Sequence, residues 1–430
     1  MIIMRKKINN FFQFNSQNEK LTLLFAALLY LLLFVFRLLS GNFYLVDSYE
    51  YLEVAQKMQN FVFFEESGSY TIFSKRPFVY PLFLALTTYL QPIFVLFIQS
   101  LAGLFSFIFL FRIIKDFGLV PSKSFALFFA LTPSIVIYTQ LFMSEWLAFL
   151  LLNTLFYLLT RKKFSKKNFI FVQIITVLLA FTKPVFYPLI YLNILFFGIY
   201  FLKIKRFSFW LFVPLLTLQL YLKYNKKISG YQYFSSIENI NLINYNLYYF
   251  KSAKQSPEVA DAWREATYDS AYFEMSPKAQ NKYLKDIAFQ ELRSAPIQYG
   301  IYHVLGGIRG MFDPGRFDLM TFFEKEDGKQ GFLEILNGNK QLSSMFKHGY
   351  AYVYLLLIPI AIANVFKLFF ALKFVVTNKL DTRLYYMVSI LFFYILLSGP
   401  VNNARLMVPL QGILIVFAVL GTRSKWKSIS

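Results

Sequence analysis

Long apolar runs separated by short polar segments set the pattern of this chain. A bilayer core about 30 Å thick needs about 20 apolar residues in an α-helix, and several runs approach or reach that length. The alternating pattern of a membrane β-barrel is not evident. The pattern predicts about ten transmembrane helices, in the order 21–39, 93–114, 125–138, 146–159, 169–181, 185–202, 207–222, 350–372, 384–397 and 406–420.

The polar segments between the runs give the predicted helices a direction. Basic residues cluster at alternate ends of the runs, as in RKK at 5–7, RKKFSKK at 161–167 and RSKWK at 423–427. Cytoplasmic loops of membrane proteins carry such an excess of lysine and arginine. We therefore expect cytoplasmic ends at 1–20 and 422–430, membrane modules at 21–222 and 349–421, a first outer loop at 40–92, and a mostly helical outside domain at 223–348.

Composition fits this picture and limits the chemistry. Hydrophobic residues make up 57% of the chain, and the net charge of +21 comes from 44 Lys and Arg against 23 Asp and Glu. In a soluble protein this charge would suggest nucleic acid, but here it marks the loops, so we expect no nucleic-acid partner. The chain has no cysteine, and its two histidines are His303 and His348. This excludes disulfides and thiolate catalysis and argues against a histidine-rich metal centre.

Serine followed by proline marks two helix starts in the outside domain. The pairs at 256–257 and 276–277 each combine an N-cap residue with proline at the first helical position. The second pair predicts a helix over 277–294. One face of this helix, which we expect to pack against the membrane helices, would carry Leu284, Ile287, Ala288 and Leu292.

Charged residues gather at the predicted outer ends of the helices. They are Asp47, Glu50, Lys75, Arg76, Glu145, Lys183 and Arg405. A charged residue at the end of a membrane helix often only marks the interface. Several carboxylates and cations on one face instead suit a reaction in which an acceptor hydroxyl loses a proton while an anionic phosphate departs.

Four stretches of sequence carry a resemblance to a known family. They are LVDSYEYLEVAQKM around Asp47, KRPFVYPLFLAL from Lys75, ALTPSIVIYTQLFMSEWLAFLLL around Glu145, and NNARLMVPLQGILIV around Arg405. Their order and spacing resemble the GT-C membrane glycosyltransferases, especially the family 39 type that includes protein O-mannosyltransferases and lipid A aminoarabinose transferases. Composition predicts an all-α polytopic membrane protein, and the resemblance adds a GT-C-like helix bundle with an outer-face helical domain.

The resemblance implies sugar transfer from a polyprenyl-phosphate-linked donor to a lipid, glycan or protein acceptor, among membrane lipids. Asp47 corresponds to the general base, and Glu145 to a second carboxylate that orients the acceptor or a divalent metal. The candidates for substrate binding, above all of the donor phosphate, are Lys75, Arg76, Lys183 and Arg405. The expected location is the bacterial plasma (inner) membrane, with the active site on the periplasmic or extracellular face.

The sequence departs from the family pattern, and other functions stay open. Ser48 follows Asp47 where family members commonly have a second acidic residue, and Ser74 precedes Lys75 where the aminoarabinose transferases have glutamate. We therefore assign no metal ligands or cofactor, although a divalent metal is left open. One alternative is a lipid-linked saccharide flippase or other transporter, for which charged residues within the spans are not evident apart from Arg37. The other is an O-antigen ligase or acyltransferase-type envelope enzyme.

Overall fold

The computed structural model describes residues 16–62, 70–87, 89–120, 123–161, 164–205, 207–323 and 351–423. Within these ranges the chain forms helices and no strands. The prediction of an all-α membrane protein is confirmed at this level, because several of the helices are long and apolar enough to cross a bilayer.

The helices of the first half run through the predicted N-terminal membrane module. They are α1 Gln17–Ser40, α2 Val46–Gln59, α3 Val79–Thr87, α4 Pro92–Asp116, α5 Lys123–Ala130, α6 Ser134–Ile137, α7 Glu145–Thr160, α8 Lys166–Ala180, α9 Leu189–Lys203 and α10 Val213–Ser229. The first helix begins before residue 21, because Ser16 and Glu19 form a reciprocal capping box at its start. The last one continues past residue 222, so the predicted domain boundary lies inside a helix.

The second half contains a helical segment between residues 238 and 322 and then three apolar helices. They are α11 Glu238–Asn241, a π-helical stretch at Leu242–Leu247, α12 Tyr248–Lys254, α13 Pro257–Thr267, α14 Ser270–Glu274, α15 Pro277–Ser294, α16 Pro296–Phe312, α17 Arg316–Phe322, α18 Ala351–Thr377, α19 Thr382–Ser398 and α20 Ala404–Gly421. The serine caps predicted for α13 and α15 are confirmed, since Ser256 Oγ accepts the Val259 N–H and Ser276 Oγ accepts the Ala279 N–H.

Six described stretches are long and apolar enough to cross a membrane. They are Gln17–Ser40, Pro92–Asp116, Pro184–Lys203, Tyr352–Thr377, Thr382–Val401 and Ala404–Gly421, and the apolar helix α7 is shorter. Ten crossings therefore remain a prediction. The span predicted at 125–138 is wrong as a single helix, because α5 ends at Ala130 and the chain resumes helical geometry only at Ser134. Pro133 explains the break, since proline disfavours helical geometry in the residue before it.

Ion pairs and helix directions define two ends of the bundle. At one end, Lys115 pairs with Glu19, and Arg161 pairs with Asp116. Arg383 donates to the carbonyl of Arg161, which brings the start of α19 to this same end. The opposite end of the bundle holds the start of α7, the end of α19 and the start of α20. The described basic residues Lys115, Arg161 and Arg383 thus share one end, as the charge pattern predicts.

The last helix, α20, is the centre of the bundle. It is buried along almost its whole length, whereas much of α1 is exposed. It packs against α18 and α7. Gly412 and Gly421 allow this packing, because a Cβ atom at Gly412 would lie 2.1 Å from Asn153 Oδ1 and one at Gly421 would lie 1.9 Å from the Phe370 carbonyl oxygen.

The described part of the predicted outside domain has a small core of its own. Leu284 and Ala288 of α15 pack with Ile243, Leu247 and Tyr272. The helix predicted at 277–294 is therefore confirmed, but the partner predicted for its apolar face is wrong. That face is covered within the segment itself, because the π-helical stretch and α14 supply enough apolar surface. Residues 324–348 of this predicted domain lie outside the described ranges.

Candidate functional site

The predicted site residues come from five separate places in the chain and meet at one end of the bundle. Asp47 and Glu50 lie on the first turns of α2, directly after α1. Glu145 is the first residue of α7, and Arg405 is the second residue of α20. Lys75 and Arg76 precede α3, and Lys183 precedes the Pro184–Phe186 turn. Helix ends thus position most of these groups.

Arg405 connects the two carboxylates that the sequence singles out. Its Nε donates to Glu145 Oε1 at 2.7 Å, and its terminal Nη2 donates to Asp47 Oδ2. The guanidinium is planar and carries its donors in a fixed geometry, so one arginine can hold two carboxylates in a defined relation. Asn403 supports this placement, because its Oδ1 accepts the Leu406 N–H and caps α20 just before Arg405.

Arg76 and Lys75 extend the ion pairs along α2. Arg76 donates to Asp47 Oδ1 at 2.7 Å and, through Nε, to Glu50 Oε2 at 2.7 Å. Lys75 pairs with the other oxygen of Glu50. The Arg76 guanidinium also lies over the ring of Tyr51, 5.0 Å from its centroid. Both oxygens of Asp47 therefore face an arginine.

Glu145 is the most deeply buried carboxylate of the site. Its side chain is 0% exposed, and Lys183 Nζ lies 2.9 Å from Oε1. Oε1 thus faces both Lys183 and Arg405, whereas Oε2 accepts no hydrogen bond from the described residues. A buried carboxylate oxygen without a hydrogen-bond donor costs folding free energy, so this oxygen is a candidate acceptor for a bound hydroxyl group.

These contacts form one continuous chain of alternating charges. Its order is Lys75, Glu50, Arg76, Asp47, Arg405, Glu145 and Lys183. The seven residues carry four positive and three negative charges, which leaves a net charge of one positive unit. Burial raises the pKa of Asp47, but the charges of Arg405 and Arg76 outweigh it and hold the pKa below its usual range. Asp47 is therefore ionised and held by its neighbours.

A carboxyl group outside this chain of charges, that of Asp318, lies close to it. Asp318 of α17 is buried, and its Oδ1 accepts a 2.7 Å hydrogen bond from the Tyr138 hydroxyl. Burial raises the pKa of Asp318 to about 7, while the hydrogen bond from Tyr138 opposes that shift. The charges of Arg405 and Glu145 both act on Asp318. No sequence pattern marks it, because its neighbours in the sequence resemble any short helix.

A buried lysine inside a candidate span was also missed by the sequence analysis. Lys367 lies in α18, is 1% exposed, and donates to Gln411 Oε1 at 2.6 Å and Thr132 Oγ1 at 3.1 Å. The expectation that only Arg37 would be charged within the spans is therefore wrong. The signal was available, because Lys367 falls inside the apolar run 350–372.

The acidic residues of the site and the nearby surface indicate which ligands the site can bind. Among the described residues, no group of three or more acidic, histidine or cysteine side chains is arranged to hold a metal ion. Asp47 and Glu145 instead face cations. Two surface hollows of the described chain lie elsewhere, one beside Asp381 and Arg383 and one beside Tyr245 and Arg264. Because both oxygens of Asp47 pair with arginines, a ligand that contacts this carboxylate must displace an ion pair.

The structure brings together all six residues predicted for the site, and Glu50 joins them. Their catalytic and binding roles stay predictions. In comparisons with known proteins, no protein-family model, curated protein or solved structure matches the chain.

Proposed function

We propose that this protein is an integral membrane glycosyltransferase of the GT-C type. It transfers a sugar from a polyprenyl-phosphate donor to a lipid, glycan or protein acceptor. One observation carries the proposal: Arg405, at the start of the central helix, bridges the carboxylates Asp47 and Glu145. A bundle of about ten crossings with an outer-face helical domain belongs to the same proposal.

The charge of the site matches the proposed donor. The seven linked residues leave one net positive charge. The phosphodiester of a polyprenyl-phosphate sugar carries one negative charge, so the donor neutralises the site. When the bond between the sugar and the phosphate breaks, the leaving phosphate gains a second negative charge. Arginine and lysine side chains beside it stabilise that developing charge, which is the main catalytic contribution we assign to them.

The same contacts explain how Asp47 becomes a base. In the structure both of its oxygens face guanidinium groups. A donor phosphate that attracts Arg405 weakens the contact between Arg405 and Asp47, so the carboxylate becomes free to accept a proton. The acceptor oxygen then bonds to the anomeric carbon of the sugar, the bond from that carbon to the phosphate oxygen breaks, and the acceptor proton passes to Asp47. Because the donor phosphate must first weaken the contact between Arg405 and Asp47, the donor binds before the acceptor.

Glu145 serves the acceptor in this scheme. Its Oε1 is held by Lys183 and Arg405, and its Oε2 accepts no hydrogen bond from the described part of the chain. That oxygen can receive a hydrogen bond from a sugar or acceptor hydroxyl and fix its orientation. Positioning of this kind lowers the barrier because the reacting groups no longer lose as much entropy on approach.

The proposal places the site on the non-cytoplasmic face of a bacterial plasma (inner) membrane. Tyr49, beside Asp47, is 64% exposed, and Lys167 is exposed at the opposite, basic end. In this cysteine-free chain, Tyr49→Cys should react with a membrane-impermeant maleimide in intact cells, and Lys167→Cys should react only after the cells are broken. Ser48 is unsuitable for labelling because it is buried. The reverse pattern would place the site in the cytoplasm.

Lys367 favours a second candidate function. A buried charge in the middle of a membrane helix is a feature of transporters, in which such groups contact the transported molecule or ion. Lys367 contacts Gln411 and Thr132 deep in the bundle. A lipid-linked saccharide flippase or other transporter is therefore the alternative to the enzyme.

A turnover assay separates the two functions. The purified protein is mixed with a polyprenyl-phosphate sugar labelled in the lipid, and released polyprenyl phosphate is measured over time. Release that requires Asp47 and survives Lys367→Met supports the glycosyltransferase. Movement of the intact labelled lipid across a vesicle membrane, without release and with a requirement for Lys367, would support the transporter instead.

A further inference from the structure

One helix at the site end of the bundle has an apolar face that no described residue covers. The exposed apolar side chains of α16 are Ile297, Ile301, Val304, Leu305, Ile308 and Phe312. Their spacing repeats the helix period, and at about 100° per residue all six fall within an arc of about 100°. Monomeric soluble proteins rarely expose an apolar surface of this kind unless it binds something.

The opposite face of α16 is closely packed. A Cβ atom at Gly306 would lie 2.6 Å from Pro400 Cα, and one at Gly310 would lie 2.5 Å from the Asn402 carbonyl carbon. Asn402 Nδ2 donates to the Gly307 carbonyl at 2.7 Å. This face therefore lies directly on the turn between α19 and α20, three residues before Arg405.

The contacts of α16 also fix its depth in the bundle. His303 Nε2 lies 2.6 Å from the Leu396 carbonyl, and the carbonyl of Ile395 approaches Gly307. Both partners belong to the last turns of α19, and the other contacts lie in the turn that follows. The helix thus packs against the end of α19, at the level where a candidate membrane span finishes.

The apolar helix α16 lies beside exposed apolar side chains of α19, a candidate membrane span. On α19, Phe392 is 63% exposed and Leu396 is 50% exposed, as expected for the outside of a membrane span. Leu396 is the residue whose carbonyl faces His303. The exposed polar residues Gln298 and Arg309 border the apolar face of α16, the arrangement of a helix that lies at a bilayer surface.

We propose that α16 is an in-plane membrane anchor, with its apolar face inserted into the lipid leaflet at the site end of the bundle and its glycine face on the turn before Arg405. The partner is the bilayer itself. Through this helix the lipid surface holds the turn that precedes Arg405, so α16 couples membrane contact to the geometry of the site. The anchoring rests on exposure and packing alone and does not depend on the proposed function.

Single cysteines in this cysteine-free chain test the anchor. Ile301→Cys and Leu305→Cys place a small fluorophore on the apolar face, and Lys285→Cys places it on an exposed polar position of α15 as a matched control. The full-length protein is reconstituted into phosphatidylcholine vesicles. Quenching is measured with a doxyl group near the top of the lipid chain and, separately, with aqueous iodide.

The proposal expects strong quenching at Ile301 and Leu305 by the doxyl lipid and weak quenching by iodide, with the opposite result at Lys285. Strong iodide quenching at Ile301 and Leu305 would overturn the anchor, since the face would then lie in water. Protection from both quenchers would also overturn it, because protein, whether a second copy or another part of this chain, would then cover the face. Folding of each variant is verified by its tryptophan fluorescence.

Discussion

Arg405 offers the sharpest test of the bridge between Asp47 and Glu145. The guanidinium uses two nitrogens, since Nε lies 2.7 Å from Glu145 Oε1 and Nη2 contacts Asp47 Oδ2. Replacement by lysine keeps the positive charge but supplies only one nitrogen. Arg405→Lys therefore loses the two separate donor positions that fix the carboxylates relative to each other, which weakens at least one of the two contacts. Arg405→Ala removes both and leaves Asp47 to Arg76 and Glu145 to Lys183.

The structure sets the size of the expected effect. A hydrogen bond to a charged group contributes about 1.5–3 kcal/mol, and the lower half of that range applies because the Arg405 side chain is 24% exposed. At about 1.4 kcal/mol per factor of ten, Arg405→Lys should lower the rate of donor cleavage by about 10-fold. Arg405→Ala should lower it by at least a further factor of ten, because the leaving phosphate then loses its nearest guanidinium.

The assay measures release of labelled polyprenyl phosphate by equal amounts of folded protein. Arg383→Lys is the matched control, because Arg383 is also the second residue of its helix and pairs with Asp381 at the opposite end of the bundle. Wild-type rates in both Arg405 variants would refute the bridge as a catalytic feature. An equal loss in Arg383→Lys would show that the effect is structural. If wild type itself releases nothing, the proposed function fails, while thermal unfolding of the same variants still tests the bridge.

Three further results follow from the same contacts. Asp47→Asn should lower transfer by about 10²–10⁴-fold in the release assay, and Glu50→Gln, outside the Arg405 bridge, by much less; near-normal transfer in Asp47→Asn moves the base to Glu145. Since burial raises the pKa of Asp318 from 3.8 to about 7, its protonated form favours folding, so thermal stability should fall as pH rises across this window, and Asp318→Asn should flatten that slope; an unchanged slope contradicts the assignment. A Cβ atom at Gly300 meets no atom within 4 Å, so Gly300→Ala should stabilise α16 by about 0.5–1 kcal/mol. Gly310→Ala should instead destabilise the protein by about 1–3 kcal/mol, because its Cβ atom would collide with Asn402. Both effects are measured by thermal unfolding, and equal effects would refute the close packing on Asn402.

Local sequence patterns were enough to predict an all-α membrane protein and the position of its long helices. Apolar runs and basic loops are local signals, so the long helices α1, α4, α18, α19 and α20 fall close to the predicted positions. The serine cap followed by proline predicted the first residue of α15 correctly, because capping depends only on a few neighbouring groups. The break at Pro133 was equally local and could have been predicted from the proline alone.

The positions of charged residues along the sequence also predicted which residues form the site. Asp47, Glu145 and Arg405 each stand beside the end of an apolar run, and ends that lie on one face of a bilayer meet on that face. That reasoning identifies which residues share a face. It does not give their partners, because an ion pair forms within 4 Å and the sequence fixes no such distance.

The pairing of these residues and the groups around them depend on contacts between distant parts of the chain. The single guanidinium between Asp47 and Glu145 depends on the packing of α20 against α7, which involves residues 260 positions apart in the chain. The burial of Asp318 against Tyr138 likewise arises from elements 180 residues apart. The exposed face of α16 follows from the same cause, since its glycine face is visible as an interface only once the turn before Arg405 lies against it.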